Sequence, residues 1–326
     1  MIAKANEHGA GETFARSPTG FDDVEFAGQE GLDATRSTVG LAFSGGGPRG
    51  FAHLGFLDGL AQAGIAPQEH FDCVCGTSCG SLVLLALCHG WSMKDAIALV
   101  RRELPTWYLP SYFPTARLWQ LRRFLGGMER KARRHFPVAR LETLRPRVLM
   151  VSYDLVTCRT YVARQGDPVK AMIASMSLPG LMRPTVIKGR VLVDGGVAAN
   201  LPAQQLREVG GVRYIIGVDV SGALSPPISG RRLKTADILL RIWEAQQKSA
   251  ERRQRSLCDV LVKPQVSDVA FTDFSRKTFD RVVDAGRQAA DAALPAIRRL
   301  LRNPESLATL VIRPRAGDER LVPEEY

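Results

Sequence analysis

Ser78 is the residue with the clearest capacity for chemistry, because it stands in Gly76-Thr77-Ser78-Cys79-Gly80 between two apolar runs, Phe71 to Cys75 and Leu82 to Leu87. That order predicts a strand, a sharp turn and a buried helix. A serine forced into such a turn by small neighbours projects its hydroxyl toward the N-terminus of the following helix, where partial positive charge favours an alkoxide. The chemistry it could perform is nucleophilic attack on an acyl carbon. In a chain with 30 glycines the pattern carries little weight alone, so its partners matter.

The first partner is a glycine loop, Gly45-Gly46-Gly47-Pro48-Arg49-Gly50, which follows the short apolar run Val39 to Ser44 and precedes an amphipathic helix from Phe51 to about Ala63. Gly45-x-Gly47-x-x-Gly50 also fits a dinucleotide loop, but that reading needs an acid at the end of the second strand, where Cys75 and Gly76 stand instead. Gly47 precedes Ser78 by one strand-helix-strand unit, so in a parallel sheet the loop faces the nucleophile. Backbone N–H groups around Gly46 and Gly47 are then candidate oxyanion donors, with Arg49 adding positive charge nearby.

The second partner must accept the serine proton. The five histidines are His8, His53, His70, His89 and His135, and none follows residue 135, where an ordinary Ser-Asp-His order would place it. His53 lies on the helix after the loop, a position that more often packs than reacts. Asp194 remains, at the end of the β-branched run Val191 to Val193 and followed by Gly195 and Gly196. Burial raises a carboxyl's pKa, and a hydrogen bond to Ser78 would let it act as the base. A hairpin turn at Asp-Gly-Gly is the alternative.

The elements that must position these groups come from a chain of 326 residues, 45% hydrophobic and 24% charged, enough for a large core. Residues 1–37 are polar and glycine-rich and predict a flexible arm, 38–303 the main domain, and 304–326 an irregular tail. Further strands are expected at Tyr214 to Val220 and Val260 to Val262, with long helices from Leu233 to about Leu257 and from about Phe279 to Leu301. There is no apolar run of 18 residues and no secretory-signal layout, which predicts a soluble protein of the cytoplasm. Four of six cysteines crowd the nucleophile strand and helix, a pattern for buried thiols. No ligand pair completes a metal site around Cys73, Cys75 and Cys79, and no cofactor is implied.

Ser44-Gly-Gly-Gly-Pro-Arg-Gly50, Gly76-Thr-Ser-Cys-Gly80 and Asp194-Gly-Gly196, in that order and spacing, resemble the patatin-like phospholipase family. The likeness is to the bacterial branch related to neuropathy target esterase catalytic domains. It extends to Ser152-Tyr153-Asp154-Leu155, Ala174 to Gly180, Asn200-Leu201-Pro202 and Val283 to Gly286, and covers roughly residues 39 to 300. The resemblance implies an α/β fold with a modified hydrolase-like, mainly parallel sheet and helices on both faces. It also implies a Ser78–Asp194 dyad, donors around Gly46 and Gly47 with Arg49 nearby, and hydrolysis of lipid acyl esters of phospholipase A or lysophospholipase type. A catalytically idle lipid- or partner-binding protein of the same fold is the competing reading. One departure is Cys79, where the family usually has alanine or another small residue; an exposed thiol there would make the elbow oxidisable.

Residues 101–140 hold ten Lys or Arg against Glu103 and Glu129, interleaved with Trp107, Tyr108, Tyr112, Phe113, Trp119, Phe124 and Phe136. Basic groups attract anionic headgroups and aromatic rings suit the headgroup boundary, so a membrane-facing cap is one reading and a solvated face over core aromatics the other. Nucleic-acid binding lacks a matching fold motif. The lipid headgroup, the acyl position and the oligomeric state are not written in the sequence.

Overall fold

A computed structural model describes residues 38–88, 90–107, 129–136, 140–179, 182–222, 235–270, 273–303 and 310–311. Strands β1 (Val39–Phe43) and β2 (Cys73–Thr77) are buried along their whole length at the centre of a nine-stranded sheet. Burial on both faces is why each reads as a continuous apolar run rather than an alternation. The remaining strands are β3 (Arg147–Asp154), β4 (Arg159–Ala163), β5 (Thr185–Ile187), β6 (Arg190–Asp194), β7 (Tyr214–Val218), β8 (Val260–Val262) and β9 (Leu310–Val311). Parallel pairing runs from β3 through β2, β1, β7 and β8 to β9. β4 and β6 are antiparallel to β3, and β5 is antiparallel to β6.

Helices cover both faces, as expected. Along β1, Leu41 and Phe43 join one apolar cluster while Ala42 joins a second on the opposite face. On the first face lie α1 (Ala52–Gln62), after a single 3-10 turn, then α2 (Pro67–His70), α3 (Cys79–Cys88) and α4 (Met93–Trp107). Further along the chain come α5 (Pro168–Ser175), α6 (Ala203–Glu208), α7 (Thr235–Ser256) and α8 (Arg276–Arg302). α1 packs on α8 through glycines. A Cβ on Gly55 would overlap the Val283 carbonyl, one on Gly286 the Ala52 carbonyl, and one on Gly59 would lie 2.7 Å from Ala290 Cβ.

Two expectations change. β2 continues past Cys75 to Thr77, because Gly76 lets the first turn of α3 fold back against the strand. The tail is not wholly irregular: Leu310–Val311 pairs with β8 as a parallel strand at the sheet edge, where two apolar residues find a backbone ladder.

The predicted arm, residues 1–37, and residues 108–128 of the basic, aromatic stretch lie outside the described residues. The described part of that stretch has partners distant in sequence. Arg101 makes a two-pronged ion pair with Asp280 (2.7 and 2.8 Å), and Arg133 binds both Glu129 (2.9 Å) and Asp167 (2.7 Å). Phe136 is buried, its ring 5.3 Å from that of Trp91.

Candidate active site

The register of β3 sets the geometry. Val151 pairs with Thr77 of β2 and also with Val162 of β4, while Ser152 pairs with Tyr161 of β4 and also with Asp194 of β6. Each residue has two flanks and β4 occupies one of them, so β2 and β6 share the other. They run toward each other and end at consecutive levels of β3. Ser78 leaves β2 where Asp194 ends β6.

Ser78 has φ of 53°, the left-handed region that a serine enters only when its surroundings demand it. Its N–H donates to Ser175 Oγ (2.8 Å), and Ser81 Oγ stands 2.8 Å from the same oxygen and 2.9 Å from the Gly76 carbonyl. Ser175 is fully buried and bonded in turn to the Val151 carbonyl. The strained turn is thus bolted to β3 by three serines, only one of which is the candidate nucleophile. Gly76 and Gly80 face each other inside the elbow, and a Cβ on Gly50 would lie 2.5 Å from Cys79 Sγ.

Asp194 is fully buried, and its Oδ1 accepts the Gly196 N–H (2.8 Å), which caps the 3-10 turn Gly195–Val197. Gly195 lies flat on β3, where a side chain would collide with the Val151 carbonyl. This is a turn, but a 3-10 turn rather than a hairpin. Asp194 Oδ2 is buried without a closed hydrogen bond among the described residues. The Ser78 hydroxyl is still near enough to favour the charged carboxylate, as the Gly196 N–H does, yet burial prevails and pushes the carboxyl up to about 7. A base with that pKa is half ionised near neutrality, where general-base catalysis works best.

The glycine loop lies against the elbow on the β1 side. A Cβ built on Gly45 would sit 3.1 Å from Ser78 Cβ and 2.6 Å from Asn200 Oδ1, so only glycine brings the loop this close. Gly45 N–H is already used by the Asn200 carbonyl (3.0 Å), and Ser44 N–H by the Val218 carbonyl (3.1 Å). Gly46 and Gly47 open the 3-10 turn Gly47–Phe51, positions whose N–H groups have no intrahelical acceptor. Gly47 holds φ of 57°. Arg49 is buried; its Nε donates to the Gly46 carbonyl (3.2 Å), and its guanidinium fills the space above Gly222, where a Cβ would overlap it.

His53 is fully buried beneath the loop, and its Nε2–H donates to the Ser44 carbonyl (2.8 Å). Burial lowers its pKa to about 4, so the ring is neutral and engaged with the backbone. His70 Nδ1 is likewise bonded to the Ala66 carbonyl (2.9 Å), and His135 lies 3.9 Å from Glu103; His8 and His89 fall outside the described residues. Cys79 is buried and its thiol is pushed up to about 12, so the condition for an oxidisable elbow is not met. Cys73 and Cys75 are buried in the second apolar cluster, and no metal-binding group of three or more His, Cys, Asp or Glu occurs among the described residues.

Sequence reasoning assigned no site role to Ser175 and Asn200. Both stood inside stretches quoted for the family resemblance, Ala174 to Gly180 and Asn200-Leu201-Pro202, and that was the one signal for them.

A model of the patatin-like phospholipase family matches residues 41–207. An uncharacterized NTE family protein of Mycobacterium tuberculosis is 31% identical over 288 residues, covering 81% of this chain and 48% of its own length. Lysophospholipase NTE1 of Candida albicans is 25% identical over 317 residues, covering 88% of this chain and 22% of its own. Among solved structures, VipD from Legionella pneumophila overlaps 80% of this chain and 67% of its own, with a TM-score of 0.45 and 14% identity. The chain spans about half the length of the mycobacterial relative and less of the fungal one. The family match takes in the glycine loop, Ser78 and Asp194 and covers just over half of the chain, which therefore belongs to the patatin-like phospholipase family.

Proposed function

We propose that this chain is a serine acyl hydrolase that cleaves lipid acyl esters, with Ser78 as nucleophile and Asp194 as its base. The observation that carries the reading is the convergence of β2 and β6 on one flank of β3, with a strained Ser78 at one end and a buried, unsaturated Asp194 oxygen at the other. Asp194 takes the hydroxyl proton as Ser78 Oγ attacks the ester carbonyl. The developing oxyanion is received by the N–H groups of Gly46 and Gly47, and Arg49 steadies the loop through the Gly46 carbonyl. Asp194 then returns its proton to the leaving alcohol, and water repeats the sequence to release the acid. The lysophospholipase name of the fungal relatives supports a phospholipid or lysophospholipid substrate.

A fluorophosphonate probe separates this reading from an idle fold: the wild type is expected to be labelled and Ser78→Ala is not. Profiling of lipid classes with pure protein then assigns the headgroup and acyl position. Absence of labelling in a folded wild type would remove the dyad.

A further inference from the structure

Two hairpin tips project beyond the candidate active site on the same side. On β3, Asp194 stands level with Ser152, and the chain runs on through Asp154 to the exposed turn of Leu155, Val156, Thr157 and Cys158 before β4 returns. At a rise of about 3.3 Å per residue, Leu155 stands about 10 Å past the level of Asp194. β6 runs back from Asp194 alongside, and Val191 accepts the Leu155 N–H (2.8 Å) while Val186 of β5 pairs with Val191. Leu155, Val191 and Val186 therefore lie abreast, and the β5–β6 turn at Lys188–Gly189 reaches further still.

These tips expose aliphatic surface to water. Leu155 is 46%, Val156 65% and Val186 54% exposed, three of the five large hydrophobic residues so described. Around them the charge has one sign: from Leu155 to Arg164 and from Met182 to Val193 the sequence holds Arg159, Arg164, Arg183, Lys188 and Arg190 and no acid. Asp154, at the base of the first tip, is buried and paired with Arg190 (2.9 Å). Arg159, Arg183 and Lys188 are exposed.

We infer that the β3–β4 and β5–β6 tips form a docking surface for an anionic phospholipid bilayer, seating Leu155, Val156 and Val186 among the headgroups beside Ser78 and Asp194. Exposed aliphatics rimmed by basic side chains suit a bilayer surface on two counts: the apolar groups leave water, and the cations meet lipid phosphate. The surface differs from the basic stretch at 101–140 and belongs to the elements that build the site. It explains how an ester held in a membrane would reach a nucleophile that is itself buried. The inference rests on the lipid-hydrolase reading for its biological sense, not for its test.

The test uses the full chain carrying Ser78→Ala, so that vesicles are not consumed, and sedimentation with vesicles of equimolar phosphatidylglycerol and phosphatidylcholine. Adding Leu155→Ser, Val156→Ser and Val186→Ser is expected to weaken vesicle binding at least tenfold, and Arg183→Glu with Lys188→Glu to do the same. Binding by the parent should fall as salt rises and the Debye length shrinks from about 10 Å at 0.1 M to about 3 Å at 1 M. The same substitutions on the Ser78 background should leave hydrolysis of a short, soluble ester unchanged, which reports that the fold and site are intact. Equal vesicle binding by parent and variants, or no binding by the parent, overturns the docking surface. A parent that binds vesicles in this tip-dependent way while its Ser78 form cleaves no ester would overturn the proposed activity and leave the docking surface standing.

Discussion

Gly45 and Asn200 hold each other by two hydrogen bonds: the Gly45 N–H donates to the Asn200 carbonyl (3.0 Å), and Asn200 Nδ2 donates to the Gly45 carbonyl (3.4 Å). The clamp joins the glycine loop to the segment that follows Asp194, so the two halves of the candidate site are fixed to one another as well as to β3. Asn200→Ala removes the side-chain half. The expected result is a loss of turnover on the order of tenfold to a hundredfold, as the loop donors lose alignment. Stability should fall by only about 1–2 kcal/mol, the range for a lost buried hydrogen bond. Steady-state kinetics beside a denaturant melt check both.

Ser78→Ala and Asp194→Asn should each abolish esterase activity, and the double variant should cost little more than either single change, because the two groups act in one proton transfer. Kinetics on a soluble ester measure this. Losses that multiply would mean that the residues act separately.

The pH dependence follows from the raised Asp194 pKa of about 7. Only the carboxylate can accept the serine proton, so kcat/KM should rise with pH through about 7 and level off above it. Stability runs the other way. Between about pH 4 and 7 the folded chain keeps a proton that the unfolded chain has released, so this group's contribution to stability falls as pH rises. Asp194→Asn should accordingly melt higher than the wild type at pH 8 and close to it at pH 4. His53, lowered to about 4, has the opposite sign: its contribution is lost as pH falls from about 6.5 toward 4. With Asp194 replaced, that acid-side loss should emerge more clearly in the profile of Tm against pH.

Gly286→Val should be severely destabilising, by about 3 kcal/mol, the upper end of the usual cost of overpacking, since even a Cβ overlaps the Ala52 carbonyl where α8 meets α1. Because α1 follows directly from the glycine loop, any folded remainder should lose turnover as well. Melting and ester hydrolysis report the two effects.

Much of this site was legible in the sequence because its signals are local. A small-residue elbow between two apolar runs, a glycine loop after a strand and an acid at the end of a β-branched run each declare themselves within a few residues. The meeting of β2 and β6 on one flank of β3 was not legible, because it depends on the register of two separate pairings with β3, Thr77 with Val151 in parallel and Asp194 with Ser152 in antiparallel, and neither leaves a local trace. Asn200 and Ser175 were missed for a related reason: each acts through a partner, Gly45 or Ser78, that only the fold supplies. The ion-pair partners of the basic stretch were hidden in the same way. Arg101 looks unbalanced among its neighbours, and its acid, Asp280, lies 179 residues away. Leu310–Val311 did carry a local signal, since it lies in the short β-branched run Leu307-Ala-Thr-Leu-Val-Ile312, but a run this short shows its pairing with β8 only in the fold.

The pairing of β1 with β7 sets a boundary for protein engineering. Every residue of β1 from Val39 to Phe43 faces a residue of β7 from Tyr214 to Val218, and the Val220 N–H donates to Ser44 Oγ (2.9 Å) at the mouth of the glycine loop. The stretch matched by the family model ends at residue 207, before this strand begins. A fragment cut to that stretch would keep Ser78 and Asp194 but would turn the buried strand beside them into an open, apolar edge, a template for aggregation. A domain swap or minimal enzyme built from this chain must therefore carry β7.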